Sequence, residues 1–341
     1  MSKNKNILVT GGAGFIGSNF IPYFLGKYPH YNIINLDLLT YAGDLNNLLN
    51  ISQDERYEFI NGDICDQNLV NSIFEKYEFS GVVHFAAESH VDNSIEKPGV
   101  FIKTNIIGTF NLIHASYKLW MNSSKKFKEG FANSRFLHVS TDEVYGSLGN
   151  EGLFKESTPY APNSPYSASK ASSDMIIRSY HETYGMNTII TNCSNNYGPK
   201  QNEEKLIPKI ISNAYNGKNI PIYGDGKNIR DWLYVLDHCK GIDLAFHNGE
   251  FGETYNIGGR NEKTNIEIVE EICNLLDKKI PKKGSYKDLI TFVEDRAGHD
   301  QRYAIDASKI EHDLGWKADE NFQSGIEKTI EWYLNKINKN D

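Results

Sequence analysis

The sequence predicts a doubly wound α/β fold, in which helices cover both faces of a parallel sheet, followed by a smaller C-terminal α+β domain. Short β-branched runs alternate with helical patterns from Asn6 onward, and a glycine-rich turn separates the first strand from the first helix. This alternation weakens after Cys193. We therefore expect a first domain at residues 1–193 and a second at 194–341, with some segments of the second interleaved with the first.

Near-continuous apolar runs are typical of strands that are buried on both faces of a parallel sheet. Such runs lie at 7–10, 33–37, 57–61, 81–85, 136–140 and 188–192, with helical patterns between them at 15–27, 68–77, 99–120 and 166–184. Three prolines between residues 149 and 165 mark a surface loop. The second half has helical patterns at 206–216, 266–276 and 322–335, short strand pieces at 220–223 and 232–235, and a further segment at 254–257.

Composition excludes several classes of protein. The chain has 341 residues, with 36 Lys or Arg against 44 Asp or Glu, and its net charge of −8 makes nucleic acid an unexpected partner. No apolar stretch approaches the ~18 to 20 residues that cross a bilayer, and no signal-peptide pattern is visible. The widely separated cysteines favour free thiols over disulfides or a metal site; they are Cys65, Cys193, Cys239 and Cys273. We expect a cytoplasmic protein that contacts no membrane and holds no metal.

Residues 10–17 read TGGAGFIG and lie directly between a predicted strand and a predicted helix. Glycines in this context permit a tight turn and let backbone N–H groups approach a pyrophosphate at the helix N-terminus. The next strand ends at Asp37, 20 residues after Gly17, where a carboxylate can accept hydrogen bonds from ribose hydroxyls. Because this carboxylate would repel a 2′-phosphate, the pattern favours NAD over NADP. Asp63 is a candidate for reaching the adenine, and capping the next helix is an equally good interpretation.

Two further patterns indicate acid–base chemistry. Tyr166 and Lys170 lie four residues apart on a predicted helix, so their side chains share one face. A tyrosine with an ordinary pKa of about 10 needs a neighbouring cation to act as a base at neutral pH. Residues 139–146 read VSTDEVYG at the end of the fifth predicted strand. Asp142 and Glu143 there could simply cap a solvated turn, but the carboxyl end of a strand is where α/β sheets build their sites.

Six segments together carry a resemblance to a known family: TGGAGFIG at 10–17, AAESHVD at 86–92, VSTDEVYG at 139–146, YSASK at 166–170, NCSNNYGP at 192–199 and RDWLYV at 230–235. The chain resembles the dTDP-glucose 4,6-dehydratases, which are extended short-chain dehydrogenases/reductases (SDRs) with a Rossmann-like fold, over about residues 5–334. The acidic pair discriminates them from related epimerases, which usually carry small or hydroxyl residues there. One departure is Ala297, where the family usually has proline.

The resemblance implies a reaction: dTDP-glucose would become dTDP-4-keto-6-deoxyglucose plus water, through transient oxidation of C4 by bound NAD. Tyr166 would take the C4 hydroxyl proton, Glu143 would remove the C5 proton, and Asp142 would protonate the departing C6 hydroxyl. Thr141 would hydrogen-bond the C4 oxygen, and Lys170 would support Tyr166 and hold the nicotinamide ribose. The first domain would bind NAD, and the second would bind mainly the sugar nucleotide.

The resemblance also assigns binding residues. Those expected to contact the dinucleotide are Gly11, Gly14, Phe15, Ile16, Gly17, Asp37, Leu38, Leu39, Thr40, Asp63, Ile64, Phe85, Ala86, Ala87, Glu88, Ser89, Thr104, Tyr166, Lys170 and Asn196. Those expected to contact the sugar nucleotide are Ser89, Thr141, Asn195, Lys205, Leu206, Pro221, Ile222, Tyr223, Arg230, Asn265, Asp295, Arg296, Ala297, Gly298 and His299. Arg230 and Arg296 suit a diphosphate because guanidinium groups bind it bidentately, with a surface salt bridge as the alternative. Tyr223 could stack on the thymine or belong to the core.

A homodimer is implied as well, through a four-helix seam formed by the helices at 99–120 and 166–184. The apolar residues Phe101, Ile102, Ile106, Leu112 and Ile113 fit a helix that is buried on two sides.

Other functions remain open at this point. A UDP- or GDP-sugar 4,6-dehydratase and a 4-epimerase of the same family are alternatives, because thymine and uracil differ by one methyl group. A dinucleotide sensor without activity is a third. The histidines His84, His90 and His138 are interpreted as packed or hydrogen-bonded residues and not as ligands.

Overall fold

The computed structural model describes residues 4–294 and 301–340. The strands of this part are, in chain order, β1 (Lys5–Thr10), β2 (Tyr31–Asp37), β3 (Tyr57–Asn61), β4 (Phe79–His84), β5 (Met121–Ser123), β6 (Lys126–Phe127), β7 (Arg135–Thr141), β8 (Thr188–Cys193), β9 (Asn195–Tyr197), β10 (Ile220–Tyr223), β11 (Ile229–Tyr234), β12 (Thr254–Ile257), β13 (Glu262–Thr264), β14 (Ile290–Val293) and β15 (Arg302–Tyr303). The α-helices are α1 (Phe15–Lys27), α2 (Gln67–Lys76), α3 (Val91–Glu96), α4 (Pro98–Phe101), α5 (Thr109–Trp120), α6 (Pro165–Tyr184), α7 (Leu206–Tyr215), α8 (Val235–Asn248), α9 (Asn265–Lys279), α10 (Ser308–Leu314) and α11 (Phe322–Asn340). Short 3₁₀ segments lie at Leu45–Ile51, Asp142–Tyr145 and Tyr286–Leu289.

The main sheet contains seven parallel strands of the described residues, in the order β12-β8-β7-β4-β1-β2-β3. The central strand β1 pairs with β2 on one side, where Ile7 faces Ile33, and with β4 on the other, where Ile7 faces Gly81. The chain runs outward in both directions from this point, so a crevice opens at the carboxyl ends of β1 and β4. The predicted doubly wound parallel sheet is confirmed.

Helices cover both faces of the main sheet. On one face α1 packs beside α8, where Phe24 and Phe246 are buried in the same core. On the other face α2, α5 and α6 contribute buried residues such as Leu112 and Ile177. Because both faces are covered, the central strands bury apolar residues on both sides, such as Leu8 and Val9 of β1, which explains the runs seen in the sequence.

Elements after residue 193 contribute to two cores. The helices α7, α9 and α11 enclose a second apolar core with β10 and β11, in which Ile211, Ile272 and Ile330 are fully buried. Strand β11 lies between β13 and β15 and also pairs with β9, while β10 pairs with β14. Strand β12, in contrast, extends the main sheet beside β8. The elements after residue 193 therefore divide between the main sheet and the second core.

The helix predicted at 99–120 is not uniform. Its middle, Ile102–Gly108, is a π-helix that separates α4 from α5, so the prediction of one regular α-helix is wrong there. Gly108 ends this segment, and a Cβ at Gly108 would lie 2.5 Å from Cδ1 of Ile64. The altered helix therefore approaches the segment between β3 and α2 more closely than a residue with a side chain would permit.

The predicted strand at 232–235 is also corrected, because Val235 begins α8, a helix that the sequence analysis did not identify. Val235, Cys239, Ile242 and Phe246 follow helical spacing and are all buried. Three other buried positions of this helix are polar, so the apolar stripe is not apparent in the sequence. They are Asp237, His238 and Asp243.

Within residues 4–294 and 301–340, no helix combines the length and apolar character that crossing a membrane requires.

Candidate active site

The glycine-rich loop follows β1 and leads into α1. Gly11 has a φ of +71°, and a Cβ there would lie 2.6 Å from the backbone nitrogen of Ala86. A Cβ at Gly17 would lie 2.5 Å from the Gly11 carbonyl oxygen, so both glycines are required by close backbone packing. Gly14 is the N-cap of α1, provides no side-chain cap and lines the cleft. The open helix N-terminus fits a pyrophosphate, because its N–H groups have no side-chain acceptor.

Asp37, the last residue of β2, is 9% exposed and bonds to the loop backbone. One of its carboxylate oxygens accepts from the Ala13 N–H at 2.9 Å, and the other accepts from the Leu39 N–H at 2.8 Å. Each oxygen keeps a second acceptor site. Asp37 therefore fixes the loop and can still accept hydrogen bonds from a ligand in the cleft.

All the predicted dinucleotide residues except Leu39 line one cleft at the carboxyl ends of β1 and β4. Leu39 has a φ of +56° and packs its side chain against the core around α1. Asp63 lines the cleft while accepting a hydrogen bond from the Cys65 N–H at 2.8 Å. Asp66 caps α2, so the alternative interpretation of Asp63 as the cap of the next helix is wrong.

Tyr166 and Lys170 lie in the first turns of α6, which Ser164 caps together with Ser167. Burial and the Glu143 carboxylate raise the pKa of Tyr166, against a hydrogen bond with Thr141. The Lys170 ammonium donates to the Val139 carbonyl at 2.8 Å and to His138 Nε2 at 3.3 Å. Burial lowers the pKa of Lys170 to about 8. The protein alone thus keeps Tyr166 protonated, and a cation beside it is needed to make it a base.

Asp142 and Glu143 begin the 3₁₀ turn that follows β7, and Thr141 caps this turn by accepting from the Glu143 N–H at 3.3 Å. Both carboxyl groups line the same cleft as Tyr166. Asp142 is only 2% exposed, and its Oδ2 has no hydrogen-bond partner within the described residues. Burial, reinforced by the carboxylates of Glu143 and Asp231, raises the pKa of Asp142 well above its usual value. Asp142 is therefore suited to carry a proton at neutral pH.

A second cavity adjoins the cleft on the side of α7 and β10. Its lining includes these predicted substrate residues: Ser89, Asn195, Lys205, Leu206, Pro221, Ile222, Tyr223, Arg230 and Asn265. Glu143, Ser89 and Asn195 line both spaces, so the cavities meet beside the acidic pair. Thr141 lines the first cleft only. The remaining predicted residues, Asp295, Arg296, Ala297, Gly298 and His299, lie outside the described residues.

Arg230 lies in the wall of the second cavity and is 9% exposed. Its guanidinium lies over the Tyr303 ring, 4.5 Å from the ring centre, and donates to the Ile229 carbonyl at 2.7 Å. These contacts fix the plane of the guanidinium group, as bidentate recognition of a phosphate requires.

Several lining residues were not predicted. Within the first cleft these include Ser140, Cys193, Gln201 and Glu204, and within the second they include His90, Asp92, Lys209 and Tyr303. The motifs quoted from the sequence already contain four of these residues: His90, Asp92, Ser140 and Cys193. Pairing of β15 with β11 places Tyr303 beside Arg230.

Of the histidines interpreted as structural, His84 shares hydrogen bonds with Thr10 and Thr109 at 2.7 and 2.9 Å. His90 caps α3, with Nδ1 accepting from the Asn93 N–H at 3.4 Å. The interpretation of His84 and His90 as hydrogen-bonded residues is confirmed.

Comparison with known proteins identifies relatives of this arrangement. The chain matches the family model described as GDP-mannose 4,6 dehydratase over residues 8–329. It is 53% identical over 337 residues to the dTDP-glucose 4,6-dehydratase of Salmonella typhimurium, a match that covers 96% of this chain and 92% of the relative.

Two solved structures share the fold throughout. The dTDP-glucose 4,6-dehydratase of Bacillus anthracis in complex with NAD gives a TM-score of 0.85 at 48% identity, covering 97% of each chain. The Streptomyces venezuelae dTDP-glucose 4,6-dehydratase, also with NAD bound, gives a TM-score of 0.88 at 43% identity, covering 98% of each chain. With the parallel sheet, the glycine loop and the acidic pair beside Tyr166, these matches show that the chain belongs to the dTDP-glucose 4,6-dehydratase family of the extended SDRs.

Proposed function

We propose that this protein is an NAD-dependent hydro-lyase that converts dTDP-glucose to dTDP-4-keto-6-deoxyglucose and water. The observation that carries the proposal is the placement of Tyr166, Asp142 and Glu143 in one cleft that begins at the glycine loop. A tyrosine and lysine would suffice for oxidation at one carbon. Elimination of water needs an additional acid and base, and the adjacent carboxyl groups supply both.

NAD is proposed to lie along the first cleft, with its pyrophosphate at Gly14 and the start of α1 and its adenosine ribose at Asp37. Bound there, it would supply a reversible hydride acceptor for the oxidation at C4 and the reduction at C6. Lys170 and Asn196 line the same cleft and would hold the nicotinamide end.

Tyr166 is proposed to remove the proton from the C4 hydroxyl, and Thr141 to hydrogen-bond the same oxygen. Because burial and Glu143 raise the pKa of Tyr166, the phenolate depends on positive charge nearby. Lys170, four residues further along α6, provides part of that charge.

Glu143 is proposed to remove the C5 proton once C4 is a ketone, because the ketone acidifies C5. Asp142 is proposed to give its proton to the C6 hydroxyl, which then leaves as water. The raised pKa of Asp142 supports this division, since an acid must hold its proton before the reaction begins. Glu143 lines both cavities and is therefore placed to meet a sugar ring between them.

The nucleotide part of the substrate is proposed to occupy the second cavity. Arg230 would bind the diphosphate, and Lys205 lies where the two cavities meet. Tyr223 lines this cavity while 37% exposed, which favours stacking on a base over a place in the core. Arg296 and its neighbours at 295–299 remain proposed substrate contacts.

A homodimer is proposed through α5 and α6, which pack against each other. Large apolar side chains remain exposed on this part of the chain: Val100, Ile102, Ile107 and Phe110 near α5 and Met175 on α6. Large apolar side chains exposed together on neighbouring helices are typical of a protein interface. A cytoplasmic location is proposed too, and the four free cysteines support it.

The test is to incubate the purified protein with dTDP-glucose, without added reductant, and to follow the nucleotide sugar by mass spectrometry. A product lighter by one water is expected. Parallel incubations with UDP-glucose and GDP-mannose examine the alternative substrates, and an epimerase would leave the mass of every substrate unchanged. Unchanged dTDP-glucose, or faster turnover of another nucleotide sugar, would contradict the proposal.

A further inference from the structure

The buried side chains of His138, Ser140 and Asp174 form a network with Lys170, and the proposed reaction assigns these three residues no role. Tyr166, Lys170 and Asp174 follow each other at intervals of four residues along α6, so all three face the same way. Lys170 is 3% exposed and Asp174 is 1% exposed. Strand β7 covers them with His138, which is fully buried. Water therefore cannot neutralise these charges, and the network must balance them internally.

His138 lies against both the lysine and the carboxylate. Its Nε2 lies 3.3 Å from the Lys170 ammonium and 3.3 Å from Oδ1 of Asp174. An ammonium group can only donate, so Nε2 accepts from Lys170, and the imidazole is neutral with its proton on Nδ1. Burial and the Lys170 charge hold the pKa of His138 well below its usual value, in agreement with a neutral ring.

One oxygen of Asp174 is held from β7. Ser140 donates its hydroxyl hydrogen to Oδ2 at 2.8 Å, which fixes the orientation of the carboxylate. The serine precedes Thr141 and the acidic pair, and it lines the cleft. The network therefore connects the helix that carries Tyr166 to the strand that carries the acidic pair.

Asp174 is the carboxylate that favours the charged form of Lys170. Burial lowers the pKa of Lys170 to about 8, and the Asp174 charge opposes that effect. Burial raises the pKa of Asp174 to about 7, against Lys170 and the Ser140 hydrogen bond. The other titratable groups that face the pair from neighbouring elements are His84 on β4, His138 on β7, Cys193 on β8, Tyr145 after β7 and Tyr160 in the proline-rich segment.

We propose that Asp174 is a positioning residue, whose negative charge, held in place by Ser140, keeps Lys170 charged and directed at the end of β7 beside Tyr166. This inference rests on the proposed function for its consequence in catalysis, but the charge of Lys170 can be measured without any substrate. Removal of the carboxylate leaves a buried ammonium without its balancing charge, so Lys170 would lose its proton at a lower pH.

The direct test measures the pH at which Lys170 titrates, by NMR of protein that carries ¹³C at the lysine Cε. The Lys170 resonance is assigned by its absence from Lys170→Met. In Asp174→Asn, which keeps the size of the side chain, the midpoint should fall by about one pH unit or more. Asp174→Glu keeps the charge and should restore most of the midpoint. A midpoint that is the same in wild type and Asp174→Asn would overturn the proposal.

A matched control is Asp243→Asn. Asp243 is also fully buried and pairs with Lys27 at 2.6 Å, but it lines neither cavity. This variant should lower stability without moving the Lys170 midpoint. An equal movement in both variants would mean that the effect is a general response to lost buried charge, and would contradict a specific role for Asp174.

Kinetics provide the second readout. With dTDP-glucose, Asp174→Asn should lower kcat at least about 10-fold at pH 8 with less than about a twofold change in KM, because it alters proton transfer rather than binding. The alkaline limb of the kcat profile should move to lower pH. An unchanged profile with only a lower melting temperature would show a structural role and reject the proposal. Absence of turnover in the wild type would reject the proposed function alone, since the NMR midpoint remains decisive for Asp174.

Ser140→Ala is a second variant, which tests the proposal even if Asp174→Asn does not fold. It keeps the Asp174 carboxylate but removes the hydrogen bond that stabilises its anion. The Lys170 midpoint should therefore move in the same direction as in Asp174→Asn, by a smaller amount. No movement in Ser140→Ala, or movement to higher pH, would count against the network.

Discussion

The carboxylate of Asp37 accepts a hydrogen bond from the backbone N–H of Ala13 at 2.9 Å. The acidic residue at the end of β2 thus holds the glycine-rich loop in addition to facing the cleft. The sequence assigns the shape of the loop to the glycines and the ribose contact to Asp37. In the folded chain, the Asp37 carboxyl group contributes to both.

Asp37→Asn should weaken NAD binding about 10-fold or more, because the loss of a hydrogen bond to a charged group costs roughly 1.5–3 kcal/mol. It should also narrow the preference for NAD over NADP, since the variant no longer repels a 2′-phosphate. Titration calorimetry with both dinucleotides measures these effects. Asp66→Asn is the control, because asparagine caps α2 as well as aspartate does. Unchanged selectivity in Asp37→Asn would refute the proposed ribose contact.

Glu143→Gln and Asp142→Asn should each reduce dehydration about 100-fold or more, as expected for loss of a general base or acid. The two variants should differ in deuterium oxide. Asp142→Asn should still exchange the C5 hydrogen with solvent, because the base remains, whereas Glu143→Gln should not. Mass spectrometry of recovered substrate distinguishes them, and exchange in Glu143→Gln alone would reverse the assigned roles.

Asp142→Asn should also unfold at a higher temperature than the wild type, with a gap that widens from pH 5 to pH 8. The raised pKa of Asp142 means that the folded state binds this proton more tightly than the unfolded chain. Stability from the wild-type residue therefore falls as pH rises from the unfolded value of about 3.9 toward the folded pKa, while asparagine stays neutral. Calorimetry across this range tests the sign.

The opposite sign is expected at Asp54, where hydrogen bonds from Arg56 lower the pKa. Asp54→Asn should lose stability relative to the wild type as pH rises through the acidic range. If Asp142→Asn shows the same trend as Asp54→Asn, the buried carboxyl group is not protonated in the folded protein.

Arg230→Lys should raise KM for dTDP-glucose about 10-fold, because lysine cannot form paired hydrogen bonds with a diphosphate. Binding of NAD should change little, since Arg230 lines only the second cavity. The control is Arg260→Lys on the surface, where Arg260 pairs with Glu311 at 2.7 Å. Equal effects on NAD and substrate binding in Arg230→Lys would indicate a damaged fold and not a lost contact.

The proposed dimer depends on the exposed apolar residues around α5 and α6. The double variant Phe110→Glu, Met175→Glu should shift the mass measured by light scattering from about twice the chain mass to 38.7 kDa. Leu49→Glu is the control, because Leu49 is 65% exposed and lies in the 3₁₀ segment Leu45–Ile51. A wild-type protein that is already monomeric would contradict the seam.

Much of the site is visible in the sequence because its chemistry requires fixed local spacing. The loop that carries Gly11, the Tyr166–Lys170 pair and the Asp142–Glu143 pair are each set by one turn or one helical repeat. The carboxyl ends of parallel strands lie at one edge of the sheet, so a position directly after a strand indicates a place in the cleft.

Other parts depend on the folded chain. Tyr303 reaches Arg230 only through the pairing of β15 with β11, and Asp174 meets His138 only because α6 lies across β7. Helix α8 is a further example, because buried Asp237 and Asp243 interrupt its apolar stripe. Their carboxylates bind distant partners, the Glu320 N–H and the Lys27 ammonium. Local patterns do not contain these partners.

The most direct test of the central claim uses dTDP-glucose that carries deuterium at C4, incubated with the enzyme and its bound NAD. The account predicts a product that is one water lighter and retains the deuterium at C6, because the abstracted hydrogen returns to the same sugar. A product that has lost the deuterium, or a sugar that keeps its full mass, would contradict it.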